Sequence, residues 1–101
     1  HRAFRRSSRM TKYQKKLQKN KESIIEICSK NGWTLNRWGS LERTSKTGRP
    51  LRIKFKKLVL RYEALSESRN WVLLYTARLS EAKAFVSEEG ILKFEGLVRV
   101  R

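Results

Sequence analysis

Apolar residues between positions 12 and 31 recur at helical intervals. Tyr13, Leu17, Ile24, Ile27 and Cys28 form one stripe, and Asn20 fills its gap. Thr11 and Gln14 stand at capping-box spacing ahead of the stripe, and Asn31-Gly32 supplies a left-handed stop behind it. The spacing predicts one helix over 12–31, roughly 30 Å long at ~1.5 Å per residue. After Gly32 the period changes from helical to alternating. Residues 33–43 read as a strand with an irregularity at Gly39, because Trp33 and Leu35 share a parity that Trp38 breaks. Residues 44–50 read as a hairpin connection, with Gly48 free to take positive φ and Pro50 opening the next strand. In 51–63 the apolar parity changes partway, from Leu51, Ile53 and Phe55 to Leu58, Leu60 and Tyr62. A bulge at Lys56-Lys57 would restore a single apolar face. Residues 63–69 form a polar turn, and 70–79 a third strand apolar on both faces, as a central strand would be.

The end of the chain admits two patterns. Ser80 can cap a short helix over 81–89 with Ala82, Phe85 and Val86 inward and Gly90 as its stop. The alternative is a fourth strand at 82–87 turning through Glu88-Glu89-Gly90. The helix is the preferred reading. Residues 91–101 follow as the last strand, with Leu92, Phe94, Val98 and Val100 inward. The predicted fold is α+β in the order α-β-β-β-α-β: an N-terminal helix, a three-stranded antiparallel sheet, a short helix and a final strand. Residues 1–10 are expected to be a flexible basic arm, and 11–101 a single α+β domain. The segment 1–9 reads equally as such an arm, a linker or a processed remnant.

Composition narrows the chemistry. With 101 residues there is room for one domain, and 39% hydrophobic residues are too many for a disordered basic tail. One Cys excludes an internal disulfide framework and any Cys-based zinc site. The single His, at position 1, excludes the usual Ser-His and Cys-His dyads unless the terminus folds back. The longest apolar run, 71–75, is too short for a membrane helix, and an intracellular setting is expected.

Charge changes the picture most. Lys and Arg number 25 against nine carboxylates, all Glu, for a net charge of +16. The excess lies in two blocks: residues 1–21 carry nine basic groups and no acid, and residues 37–61 carry nine against Glu42 alone. A charge kept for solubility would be spread with both signs mixed. Cations on one strand face repeat every ~6.8 Å and can follow a sugar-phosphate backbone, and self-repulsion of this size is relieved by a polyanion. The expected partner is therefore DNA or RNA, with no cofactor, no metal and no catalytic residue. The expected contacts in the first block are Arg5, Arg6, Arg9, Lys12, Lys15, Lys16 and Lys19. In the second they are Arg37, Trp38, Arg43, Lys46, Arg49, Arg52, Lys54, Lys56, Lys57 and Arg61, with Trp38 either stacking on a base or sugar or turned inward by a bulge at Gly39. An Arg-rich hairpin with a basic arm suits groove-plus-backbone binding and leans the expectation to DNA. Trp33 and Trp71 are expected in the core, and so is Cys28.

The element order resembles that of the double-stranded-RNA-binding fold, which implies a structured- or double-stranded-RNA-binding module as the alternative. It departs at Ser80-Glu-Ala-Lys83, which is acidic where that fold carries lysines. The order also resembles the restriction-endonuclease-like core, which would imply a small metal-dependent nuclease. Here the second strand is basic until Glu63, the third has no acid, and Glu81-Ala-Lys83 falls beyond the strand. A cationic adaptor for an acidic protein or an anionic membrane surface is a further alternative, and it would need an apolar insertion face with basic flanks.

Overall fold

The computed structural model describes residues 10–100. It contains one helix, α1 (Lys12–Ser29), followed by eight strands: β1 (Thr34–Leu35), β2 (Leu41–Thr44), β3 (Pro50–Lys56), β4 (Val59–Leu65), β5 (Trp71–Arg78), β6 (Lys83–Val86), β7 (Leu92–Glu95) and β8 (Val98–Arg99). The predicted α-β-β-β-α-β order is thereby overturned: the described residues are mostly β, with one helix ahead of the strands. Residues 1–9 of the proposed arm lie outside the described residues.

The start of the helix follows its local code. The Thr11 hydroxyl accepts from the Gln14 amide at 3.0 Å, and the Gln14 side chain accepts from the Thr11 amide at 2.9 Å. The helix ends two residues earlier than predicted, capped by Lys30, with Gly32 turning the chain at φ +96.

The strands form a six-stranded antiparallel sheet in the order β1-β2-β3-β4-β5-β8, and β6 and β7 form a separate hairpin. Register fixes its two faces. Leu41, Ile53 and Tyr62 are cross-strand neighbours on one face, as are Phe55, Leu60 and Ala77. That face packs against Leu17, Ile24 and Cys28 of α1 and against Phe94 and Leu92 of the β6–β7 hairpin. Leu41, Ile53, Leu60 and Cys28 have no solvent exposure at all, and burial pushes the Cys28 thiol up to about 12. The other face carries Arg52, Lys54, Arg61 and Glu63 and contributes nothing to the core cluster.

The misread segments have identifiable causes. The parity change near Lys56-Lys57 is a two-residue turn, not a bulge: Lys56 pairs with Val59, and β3 and β4 are the arms of one hairpin. The sheet's register does slip, but between β4 and β5 at Tyr62/Glu63, where Leu74 is the extra residue. The irregularity at Gly39 is likewise a turn between β1 and β2. The predicted helix over 81–89 is the β6–β7 hairpin. Ala82 and Ala84 are both 5% exposed, alternate with outward Lys83, and bring β6 close against α1. The predicted last strand breaks at Gly96, so β7 and β8 belong to different sheets, and Val98 and Val100 are exposed, not inward. Trp71 is 37% exposed because β8 pairs with β5 only at Tyr75 and Thr76, leaving the start of β5 as an edge.

Four hairpins share one five-residue turn: 36–40, 45–49, 66–70 and 87–91. In each, the side chain of the first residue (Asn36, Ser45, Ser66 or Ser87) accepts from the amide of the fifth at 3.0–3.2 Å. The fourth residue takes positive φ: Gly39, Gly48 and Gly90, but Arg69 at φ 68 in the third turn. An L-residue in that region costs roughly 1 kcal/mol. Arg69→Gly is therefore expected to stabilise the fold by ~0.5–1 kcal/mol, read as a higher urea midpoint at unchanged slope. A lower midpoint would mean that the Arg69 side chain contributes more than its backbone costs.

Candidate nucleic-acid interface

Successive hairpins of an antiparallel meander place their turns at alternate ends of the sheet. The turns 36–40 and 57–58, and the exit of β5 at Arg78, share one end; the turns 45–49 and 66–70 share the other. From the Leu41–Ile53 pair, Trp38 and Lys56 are each three residues further along, so the first two turns end at about the same level. They are separated by about 10 Å, two inter-strand spacings. This end gathers Arg37, Trp38, Lys56, Lys57 and Arg78. Two acids stand near it: Glu81, exposed in the turn leaving β5, and Glu42, which accepts from Asn36 of the 36–40 turn at 3.0 Å.

The helix reaches the same end from the covered side. The Asn20 amide donates to the Leu79 carbonyl at 3.1 Å, and the Leu79 amide donates to the Leu58 carbonyl at 2.7 Å. Lys21 lies over the Phe55 ring at 5.7 Å. Lys12, Lys15, Lys16 and Lys19 are exposed on the helix half that leads away from this junction. Of the first basic block, Lys21 thus comes beside the β3–β4 hairpin, while the earlier helix lysines extend away from it.

Lys57 holds that turn at φ 56, a conformation that favours Gly or Asn. Together with Arg69 it is one of two non-glycine residues with positive φ among the described residues, and both are cations.

The open face continues the site. Lys54 and Arg61 are direct cross-strand neighbours, a like-charge pair that an anion would relieve. Beside them, Glu63 is 4% exposed and accepts from Arg52 Nε at 2.5 Å and from Arg61 Nε at 2.9 Å. Burial alone would push its carboxyl up, but hydrogen bonds from the two guanidinium groups, with their charges, outweigh burial and hold it below the ordinary 4.5. One carboxylate oxygen engages at most two of the five N–H groups of each arginine, so the outer donors remain directed away from Glu63. Arg52 also stacks on Trp71, at 4.0 Å from the ring centroid.

The structure divides the predicted contacts. Arg37, Trp38, Lys56 and Lys57 are gathered at one end, and Arg52, Lys54 and Arg61 share the open face. Lys46 and Arg49 sit at the opposite end, where the Arg49 side chain donates to the Leu65 carbonyl at 3.3 Å. Arg43 lies on the covered face over Trp33, at 5.8 Å from its ring. Arg5, Arg6 and Arg9 lie outside the described residues. Arg78 was missed, because only the β4–β5 pairing brings it beside Val59 at the β3–β4 turn.

Among the described residues no three His, Cys, Asp or Glu side chains form a cluster able to hold a metal ion, and no helix is long and apolar enough to cross a membrane. Glu63 lies four residues along the strand from the level of Arg78, roughly 14 Å, and Glu81 lies beyond Arg78 in the following turn. The chain matches no protein-family model, no curated protein and no solved structure.

Proposed function

We propose that this chain is a non-enzymatic nucleic-acid-binding domain that grips phosphates with one end of its sheet and the adjoining open face. The observation that carries the reading is the gathering of Arg37, Lys56, Lys57 and Arg78 at one end of the sheet, with Lys21 of the helix over Phe55 beside it. Lys56, Lys57, Arg37 and Arg78 supply the end, Lys54 and Arg61 the face, and the helix lysines a second wall. Lys57 strengthens the reading, since a cation stands where glycine would cost the backbone less. Phosphate contacts do not select the sugar, and the leaning to DNA came only from an Arg-rich hairpin and a basic arm suited to groove-plus-backbone binding. The double-stranded-RNA and nuclease alternatives drew on an element order that the fold does not have.

A competition gel shift with duplex DNA, single-stranded DNA and duplex RNA between 50 and 200 mM salt tests the reading. Engagement of about four to six phosphates gives a slope of log K against log salt near −4 to −5 on a duplex. Lys57→Gly, which eases the turn, is expected to weaken binding and make that slope shallower by about one. A slope near zero with all three polymers would overturn the proposal.

A further inference from the structure

We infer that the ligand is single-stranded or locally unpaired nucleic acid, with the Trp38 ring as the stacking surface for one base. The inference rests on the polyanion reading above and adds the state of the strand. Phosphate binding accounts for the cations but not for this tryptophan. Trp38 is 75% exposed, and the one ring contact it makes among the described residues is with Arg37, at 4.7 Å from its centroid. By comparison, Trp33 is 3% exposed and edge-on to Tyr62, and Trp71 is half as exposed as Trp38, at 37%, with Arg52 on its ring.

The turn that carries Trp38 is fixed. Asn36 Oδ1 accepts from the amides of Trp38 at 2.9 Å and Ser40 at 3.0 Å, while its Nδ2 donates to Glu42 at 3.0 Å. The Asn36 amide donates to the Ser40 carbonyl at 2.8 Å, and the Gly39 amide to the Asn36 carbonyl at 3.1 Å. The indole is therefore held outward on an ordered backbone and does not fold back onto the core. Arg37 lies over one side of the ring and leaves the other to a ligand. A duplex keeps its base faces stacked inside, so an unpaired base is the nucleic-acid group that matches an exposed ring. The cations of the β3–β4 turn, about 10 Å away, are placed for the phosphates that flank such a base.

The test uses labelled oligothymidylate of about twelve nucleotides, an abasic deoxyribose-phosphate polymer of equal length and the matching duplex, measured by fluorescence anisotropy. The wild-type chain is expected to bind oligothymidylate about tenfold more tightly than the abasic polymer. Trp38→Ala is expected to abolish that preference while leaving abasic binding and the melting temperature unchanged, and Trp38→Phe to restore most of it. Equal binding of the base-bearing and abasic polymers, preference for the duplex, or an unaltered preference in Trp38→Ala would overturn the inference and leave phosphate gripping standing. Failure to bind any polyanion at low salt would overturn the functional reading itself. A Trp38-dependent response to anionic phosphatidylserine vesicles without any response to oligonucleotides would assign the ring to a lipid surface and overturn the inference.

Discussion

Gly96→Ala is expected to be the most damaging single methyl addition considered for this fold, lowering stability by ~3–4 kcal/mol. A Cβ at Gly96 would overlap the Glu81 carbonyl oxygen and lie 2.8 Å from the Glu81 carbonyl carbon. Both obstacles are backbone, so no side chain can swing aside. The residue also stands at φ +83, which adds roughly 1–3 kcal/mol for an L-residue held there, and overpacking adds ~1–3 kcal/mol. A domain of this size has about 5–15 kcal/mol in total. A melting temperature lower by roughly 15–25 °C is expected in calorimetry. A shift of only a few degrees would mean that the turn after β5 and the β7–β8 connection are not in contact. Glycines 32, 39, 48 and 90 have nothing within 4 Å of such a Cβ, so their alanine variants meet only the backbone cost.

Glu63→Gln is expected to cost ~2–3 kcal/mol and to leave the chain binding polyanions more tightly. The carboxylate holds two charge-assisted hydrogen bonds, each worth roughly 1.5–3 kcal/mol, reduced here because the Arg52 and Arg61 side chains are 24% and 38% exposed and water can take up part of the loss. The variant removes one negative charge from the open face and leaves a single amide oxygen to accept from the two guanidinium groups. Its pH signature follows from the direction of the shift. The carboxyl is held below 4.5 in the folded protein, so its contribution is fully present above the ordinary carboxyl value and is lost as pH falls through the folded value. Urea titrations of the two proteins should therefore differ by a constant amount at neutral pH and converge in acid. A difference that persists unchanged at low pH would assign the cost to packing and not to charge.

What the sequence made legible was local. The cap at Thr11 and Gln14 and the stripe through Leu17, Ile24 and Cys28 act within one helix, and nothing distant competes with them. The discontinuity at Lys56-Lys57 was visible too, but a bulge and a two-residue reversal both change the parity, and this turn contains no Gly, Asn or Pro to separate them. That ambiguity propagates. Each missed reversal inverts the direction of everything downstream, and a single block of expected contacts over 37–61 hid that Lys46 and Arg49 are separated from Lys57 by the length of β3. At 82–86 both periods fit, since Ala82, Phe85 and Val86 suit a helix and Ala82 with Ala84 suit a strand. Contact with α1 decides between them, and no window along the chain contains α1. Glu63 was placed at the start of a polar turn because its partner Arg52 becomes its neighbour only when β3 and β4 pair.

Every pairing in the large sheet but one joins strands that are consecutive along the chain. Such a meander can zip together one hairpin at a time, each step closing a short loop on the microsecond scale typical of isolated hairpins. The exception is β8, which returns to β5 only after β6 and β7 have formed and turned back. Its docking closes the longest loop in the sheet and carries the largest entropy of closure, so it is the natural last event in folding and the first seam to part.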